Sequence, residues 1–127
     1  MLSGDEAASI PEYKKVTELR PAFFGAFHNL AVALCNTGRE EESLQYYEAA
    51  LRLDGGQAPV HSGYATALAK LGRYAEAEAA ALAALRIDPS NARAREQALD
   101  YARELQKQQA ATAALPAGPL TSFSTTK

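Results

Sequence analysis

The sequence predicts an all-α solenoid assembled from helix-turn-helix units, and three observations carry that prediction. The first is a period: "LRLDGG" from Leu51 returns as "LRIDPS" from Leu85, 34 residues later. The second is that a shift by this period superposes small residues on small and large on large. Leu30, Ala31, Ala33, Leu34, Gly38 and Arg39 fall on Tyr64, Ala65, Ala67, Leu68, Gly72 and Arg73, and Ala50 to Asp54 fall on Ala84 to Asp88. The third is helical spacing inside each period, as in Phe27, Leu30, Ala31, Leu34 and then Leu44, Tyr47, Ala50, Leu51, with Gly38 between the two runs.

The elements follow in order. Gly4, Tyr13 and Leu19 precede Gly38, Tyr47 and Leu53 by one period, so the chain is expected to open inside an incomplete repeat. Ser9 and Glu12 around Pro11 read as a capping box, which predicts a helix over 11–19 and places Gly4 in a turn before it. Helices are predicted over 22–37 and 40–53, separated by Gly38, which suits the left-handed backbone of a helix C-terminus. "DGGQAP" then ends one unit, and Pro59 fits the first turn of a helix over 59–71, where its missing donor is not needed. Gly72 separates that helix from one over 74–87. Pro89 stops it, and Ser90 or Asn91 can cap a last helix over 91–109. In that helix Ala94, Ala98, Leu99, Ala102 and Leu105 are assigned to the inward face and the charged remainder to water. Residues 110–127, rich in Ala, Thr, Ser and Pro with Lys127 as the only charge, read as a flexible tail.

With these residues in place, the chain resembles the tetratricopeptide repeat family. The family pattern is read on Phe27, Leu30, Ala31, Leu34, Ser43, Tyr47, Ala50 and Gly55, and again on His61, Tyr64, Ala65, Leu68, Ala77, Ala81, Ala84 and Pro89. Ser43 replaces an alanine, Gly55 a proline, His61 an aromatic and Ala81 a large aromatic. The resemblance implies a right-handed α-solenoid: half a repeat over 1–21, repeats over 22–57 and 58–91, and a capping helix over 92–109. It also implies that the first helices of successive repeats line a concave groove that holds a peptide or a partner helix. The lining would be His28, Asn29, Val32 and Asn36, then Ser62, Thr66 and Lys70, then Arg93, Gln97 and Asp100. The clamp with which chaperone-adaptor members hold a terminal carboxylate is not matched, since Pro59 and Gly63 stand where basic residues are needed. The asparagine ladder of glycosyltransferase-linked arrays is broken, reading Asn29, Gly63, Gln97.

Composition removes other classes. Lys+Arg 13 against Asp+Glu 15 leave a net charge of -2, so no basic field for nucleic acid exists. One cysteine, Cys35, forms no internal disulfide and suits a cytoplasmic or other reducing compartment, and with two histidines it makes no structural zinc site. No stretch approaches a membrane span, and the start lacks a secretory signal. No phosphate loop, metal-ligand spacing or cofactor motif occurs, and Cys35 with His28 lacks an orienting group and an oxyanion donor, so no enzyme activity is expected. "AEAEAAALAALR" carries Glu rather than Lys on its polar side and reads as a closely packed helix, not a membrane-surface one. The expected role is a non-catalytic scaffold binding a protein segment in its groove. A structural subunit of a larger assembly, or the accessory region of an enzyme whose catalytic part lies elsewhere, are the alternatives. Ile10, Tyr13, Val16 and Leu19 form an apolar stripe on the first helix, expected to be completed by a helix from another chain, from a second copy, or from upstream sequence.

Overall fold

In the computed structural model, residues 3–113 are described, and they form six helices in sequence. These are α1 (Ser3–Leu19), α2 (Phe24–Asn36), α3 (Glu40–Leu53), α4 (Ala58–Lys70), α5 (Tyr74–Ile87) and α6 (Ala92–Ala113). No strand occurs among the described residues, and none of their helices is long and apolar enough to cross a membrane. Each helix packs on its neighbours in sequence, and beyond those pairs α2 touches α4 and α4 touches α6. This is the contact pattern of an α-solenoid, with α2, α4 and α6 side by side on one face.

The two kinds of connection are built by two recurring devices. After α2 the Arg39 N–H donates to the Leu34 carbonyl (2.8 Å) and Gly38 N–H to Cys35 (3.3 Å). After α4 the Arg73 N–H donates to Leu68 (3.0 Å) and Gly72 N–H to Ala69 (2.9 Å). Both glycines sit at positive φ, +86° and +79°, where a Cβ is strained. The repeated aspartate closes the other connection: Asp54 accepts from Gly56 N–H (2.9 Å) and Asp88 from Ser90 N–H (3.2 Å). Arg39 and Arg73 precede α3 and α5, and each bonds a glutamate one turn in, Glu42 or Glu76. As expected, Asn91 caps α6 by accepting from the Ala94 N–H (3.0 Å).

Three expectations are corrected. Helix α1 begins at Ser3, so Gly4 lies in its first turn rather than in a loop between helices. Pro11 sits inside the helix, where it withholds only the donor to Ala7, and Ser9 donates to the Glu6 carbonyl (2.7 Å) instead of capping. Helix α6 runs to Ala113, which takes 110–113 out of the expected tail; the rest of that tail, 114–127, lies outside the described residues. Its inward face is Ala94, Ala98 and the half-buried Tyr101 and Leu105, while Leu99 is 52% exposed. One residue past Ala98 turns the side chain about 100° away from the core.

The core between the repeats is small residues around a few large ones. Ala31, Ala50, Ala65, Ala67, Ala77 and Ala81 are buried with Leu44, Val60 and Leu68, and alanine lets α4 and α5 approach closely. Tyr47 of α3 is the one buried aromatic among the described residues, 2% exposed, wedged against α4 at Gly63. A Cβ added at Gly63 would stand 2.9 Å from the Tyr47 hydroxyl and 3.0 Å from its ring edge.

Two predictions follow from these joints. Gly38→Val and Gly72→Val each destabilise by about 1–3 kcal/mol through backbone strain alone, since open space surrounds both positions. Unchanged melting temperatures in thermal denaturation would contradict the turn geometry. Gly63→Ala, which in an open helix stabilises by roughly 1 kcal/mol, here lowers stability by about 1 kcal/mol or more through overpacking. The control Gly25→Ala meets only ordinary contacts with Phe23 and does not share that loss.

Candidate functional site

The face shared by α2, α4 and α6 holds a recess of about 270 Å³ lined by His28, Val32, Cys35, Asn36, Tyr47, Pro59, Gly63, Thr66 and Arg93. Four helices supply it: Tyr47 of α3 forms part of the lining, and on the first helices residues at i and i+4 align along a helix. His28 and Val32 come from one face of α2, Pro59 and Gly63 from one face of α4, and Arg93 from the first turn of α6. Of the lining expected from sequence, His28, Val32, Asn36, Thr66 and Arg93 converge on this recess. Asn29, Lys70, Gln97 and Asp100 do not line it. Asn29 and Asp100 are exposed to either side, and Asp100 is paired with Arg103 (3.0 Å). Lys70 is exposed with its ammonium 3.9 Å from Glu40. Ser62 is buried rather than presented, its hydroxyl donating to the Gln97 side-chain oxygen.

Gln97 acts as a tie between the first helices. Its amide donates to the Ser62 carbonyl (3.2 Å) and the Thr66 hydroxyl (2.8 Å), locking α6 to α4 beneath the groove. On the other side Asn36 donates to Glu6 of α1 (2.9 Å), so α1 closes that end of the groove. Arg93 has one hydrogen bond, to the Thr66 hydroxyl (3.3 Å), and no carboxylate partner among the described residues.

Sequence reasoning missed Cys35, Tyr47, Pro59 and Gly63 as lining residues. Tyr47 belongs to a second helix and to the core by its period, and its hydroxyl reaches the groove floor only because Gly63 has no side chain. The signal available was the glycine in the middle of a helix, where it is otherwise costly. Aromatic rings continue from this point, with His28 centred 6.5 Å from Tyr47 and Tyr64 6.0 Å from it on the far side.

The electrostatics suit binding better than nucleophilic chemistry. Burial lowers the His28 pKa, favouring the neutral imidazole, and burial raises that of Cys35 despite the opposing Lys70 charge. An activated thiolate beside an imidazolium would need both shifts reversed. Burial also pushes the Tyr47 phenol far up, so it remains a hydroxyl donor at any physiological pH. No group of His, Cys, Asp and Glu among the described residues could hold a metal ion.

The expected apolar edge on α1 is split by its helix. Ile10 is buried against Leu30, Ala33 and Leu34, Tyr13 packs partly on the same cluster, and Val16 is half-buried. Thr17 points inward in place of the stripe's last member, its hydroxyl bonded to the Lys14 carbonyl (2.7 Å), and Leu19 is 74% exposed. Leu19 lies two residues beyond Thr17, about 200° around the helix.

Residues 38–99 match the tetratricopeptide repeat family. No curated protein sequence matches the chain. Among solved structures, the first such domain of human RPAP3 is similar with a TM-score of 0.78 at 19% identity, over 84% of this chain and 84% of that one. The first such domain of Spaghetti (RPAP3), bound to the HSP90 peptide SRMEEVD, gives 0.77 at 19% identity over 81% and 82%. The second domain of human RPAP3, in complex with the HSP70 peptide SGPTIEEVD, gives 0.74 at 23% identity over 77% and 82%. At these identities the likeness is one of fold, and it agrees with the period, the glycine turns and the helix order. Residues 38–99 are thus those of the tetratricopeptide repeat family, and the described residues form an all-α solenoid of helix-turn-helix repeats.

Proposed function

We propose that the chain is a non-catalytic protein-interaction module whose groove, formed by α2, α4 and α6, takes an extended peptide or a partner helix. The observation that carries this reading is the recess around Tyr47. It gathers the Tyr47 hydroxyl, a guanidinium without a carboxylate partner among the described residues and apolar walls from four helices at one place on an otherwise polar face. Ligand sites are commonly concave, mostly apolar and furnished with a few polar groups that fix orientation, and this recess has that make-up. The similar folds that are bound to peptides support a peptide-binding role.

A second reading is favoured by the N-terminal edge. Leu19 and the nearby Phe23, stacked by Arg20 with its guanidinium carbon 4.8 Å from the ring centroid, leave apolar surface beside a shallow recess of about 380 Å³. In that reading the chain is a subunit held in an assembly, or to a second copy, through α1.

The two readings are separated by peptides selected from a random display library against the intact chain and measured by calorimetry. Replacing His28, Asn36, Lys70 and Arg93 by alanine is expected to weaken the selected peptides by about tenfold or more, with the helical circular dichroism retained. Leu19→Lys is expected to leave them unchanged. The opposite pattern would move the binding surface to the edge.

A further inference from the structure

We infer that the groove selects its ligand by an internal acidic side chain, whose carboxylate enters the recess and is held by the Tyr47 hydroxyl and the Arg93 guanidinium. The inference rests on the groove reading and adds the chemistry of the occupant. Two observations meet at this recess. Tyr47 is 2% exposed as a residue and lines the recess, and since no buried side-chain polar atom among the described residues lacks a partner, its hydroxyl, which makes no protein hydrogen bond there, opens onto the recess. A hydroxyl that opens onto a recess can donate to an acceptor that enters it. Arg93, lining the same recess, has no carboxylate partner among the described residues, whereas Lys70 is near Glu40, Asp100 is paired with Arg103, and Glu6 at the α1 end of the groove accepts from Asn36.

Charge balance decides the class of anion. One unpaired guanidinium and one neutral hydroxyl match a single negative charge; a phosphate, close to doubly charged near neutral pH, would be left half-neutralised. Geometry decides its source. Of the α4 residues on the recess, Pro59 and Gly63 offer no side-chain donor for the second oxygen of a chain terminus and Thr66 already donates its hydroxyl to the Ser62 carbonyl (3.2 Å), whereas the apolar surface of Pro59 and Gly63 with Val32 fits the methylene stem of a glutamate. Apolar walls also exclude water, which strengthens a charge-assisted hydrogen bond.

The test uses the full chain and fluorescent peptide pools, acetylated and amidated at their ends, with uncharged mixed flanks and one fixed central residue: Glu, Asp, Gln, Leu, Lys or phosphoserine. The Glu pool is expected to bind about tenfold tighter than the Gln and Lys pools. Tyr47→Phe, which keeps the ring in place, and Arg93→Met are each expected to weaken the Glu pool more than the Gln pool and so remove most of that preference. A groove that binds Glu and Gln pools equally would overturn the carboxylate inference and leave the groove reading standing. Tighter binding of the phosphoserine pool, or binding that appears only when the peptide C-terminus is left free, would overturn it in favour of a different anion source. Binding by none of the pools would overturn both the inference and the groove reading.

Discussion

The joint between one repeat and the next is made where Tyr47 of α3 lies against Gly63 of α4, and the rest of the structure is arranged around that contact. The ring is the one large aromatic fully inside the core among the described residues, and truncation of buried aromatics costs about 3–5 kcal/mol, far more than any surface ion pair here. Gly63 gives up helix propensity to let it in. The exchange sets the spacing of α2 and α4, and it opens the recess at the groove floor through which the hydroxyl emerges. One residue therefore serves as core and as binding surface.

The next joint solves the same problem with the volumes reversed. Ala81 stands one period after Tyr47 and Gln97 one period after Gly63. With alanine beneath, the first helix can carry a long side chain, and Gln97 uses it to bond Ser62 and Thr66 of α4. The groove is thus open over the first joint and tied shut over the second. In the opening joint the paired positions are Tyr13 and Asn29, and there the tyrosine is only half-buried. Large with small, and small with large, keep the solenoid in register without a repeated sequence.

Much of this was legible in the sequence because it is periodic. The 34-residue shift, the turn glycines and the repeated aspartates identify helix order and most helix ends, since each is a local backbone requirement. α1 was harder to read. Proline after a serine signals a helix start by local chemistry, but here packing of Ile10 and Thr17 on α2 extends the helix through Pro11. The site was legible only in part. His28, Val32, Asn36, Thr66 and Arg93 follow from helical phase, whereas Ser62 and Tyr47 exchange roles because of neighbours one repeat away. Leu99 was misplaced by hydrophobicity, which a terminal helix with one packed face does not have to honour.

The most direct measurement of this account is a double-mutant cycle at the first joint, by urea denaturation of the wild type, Tyr47→Ala, Gly63→Gln and the double variant. Making the first joint resemble the second is predicted to cost less than the two single changes together, with a coupling of about 1 kcal/mol or more in favour of the pair. Additive losses would show that Tyr47 and Gly63 do not share one space, and would contradict the claim that this contact governs both the stacking and the groove.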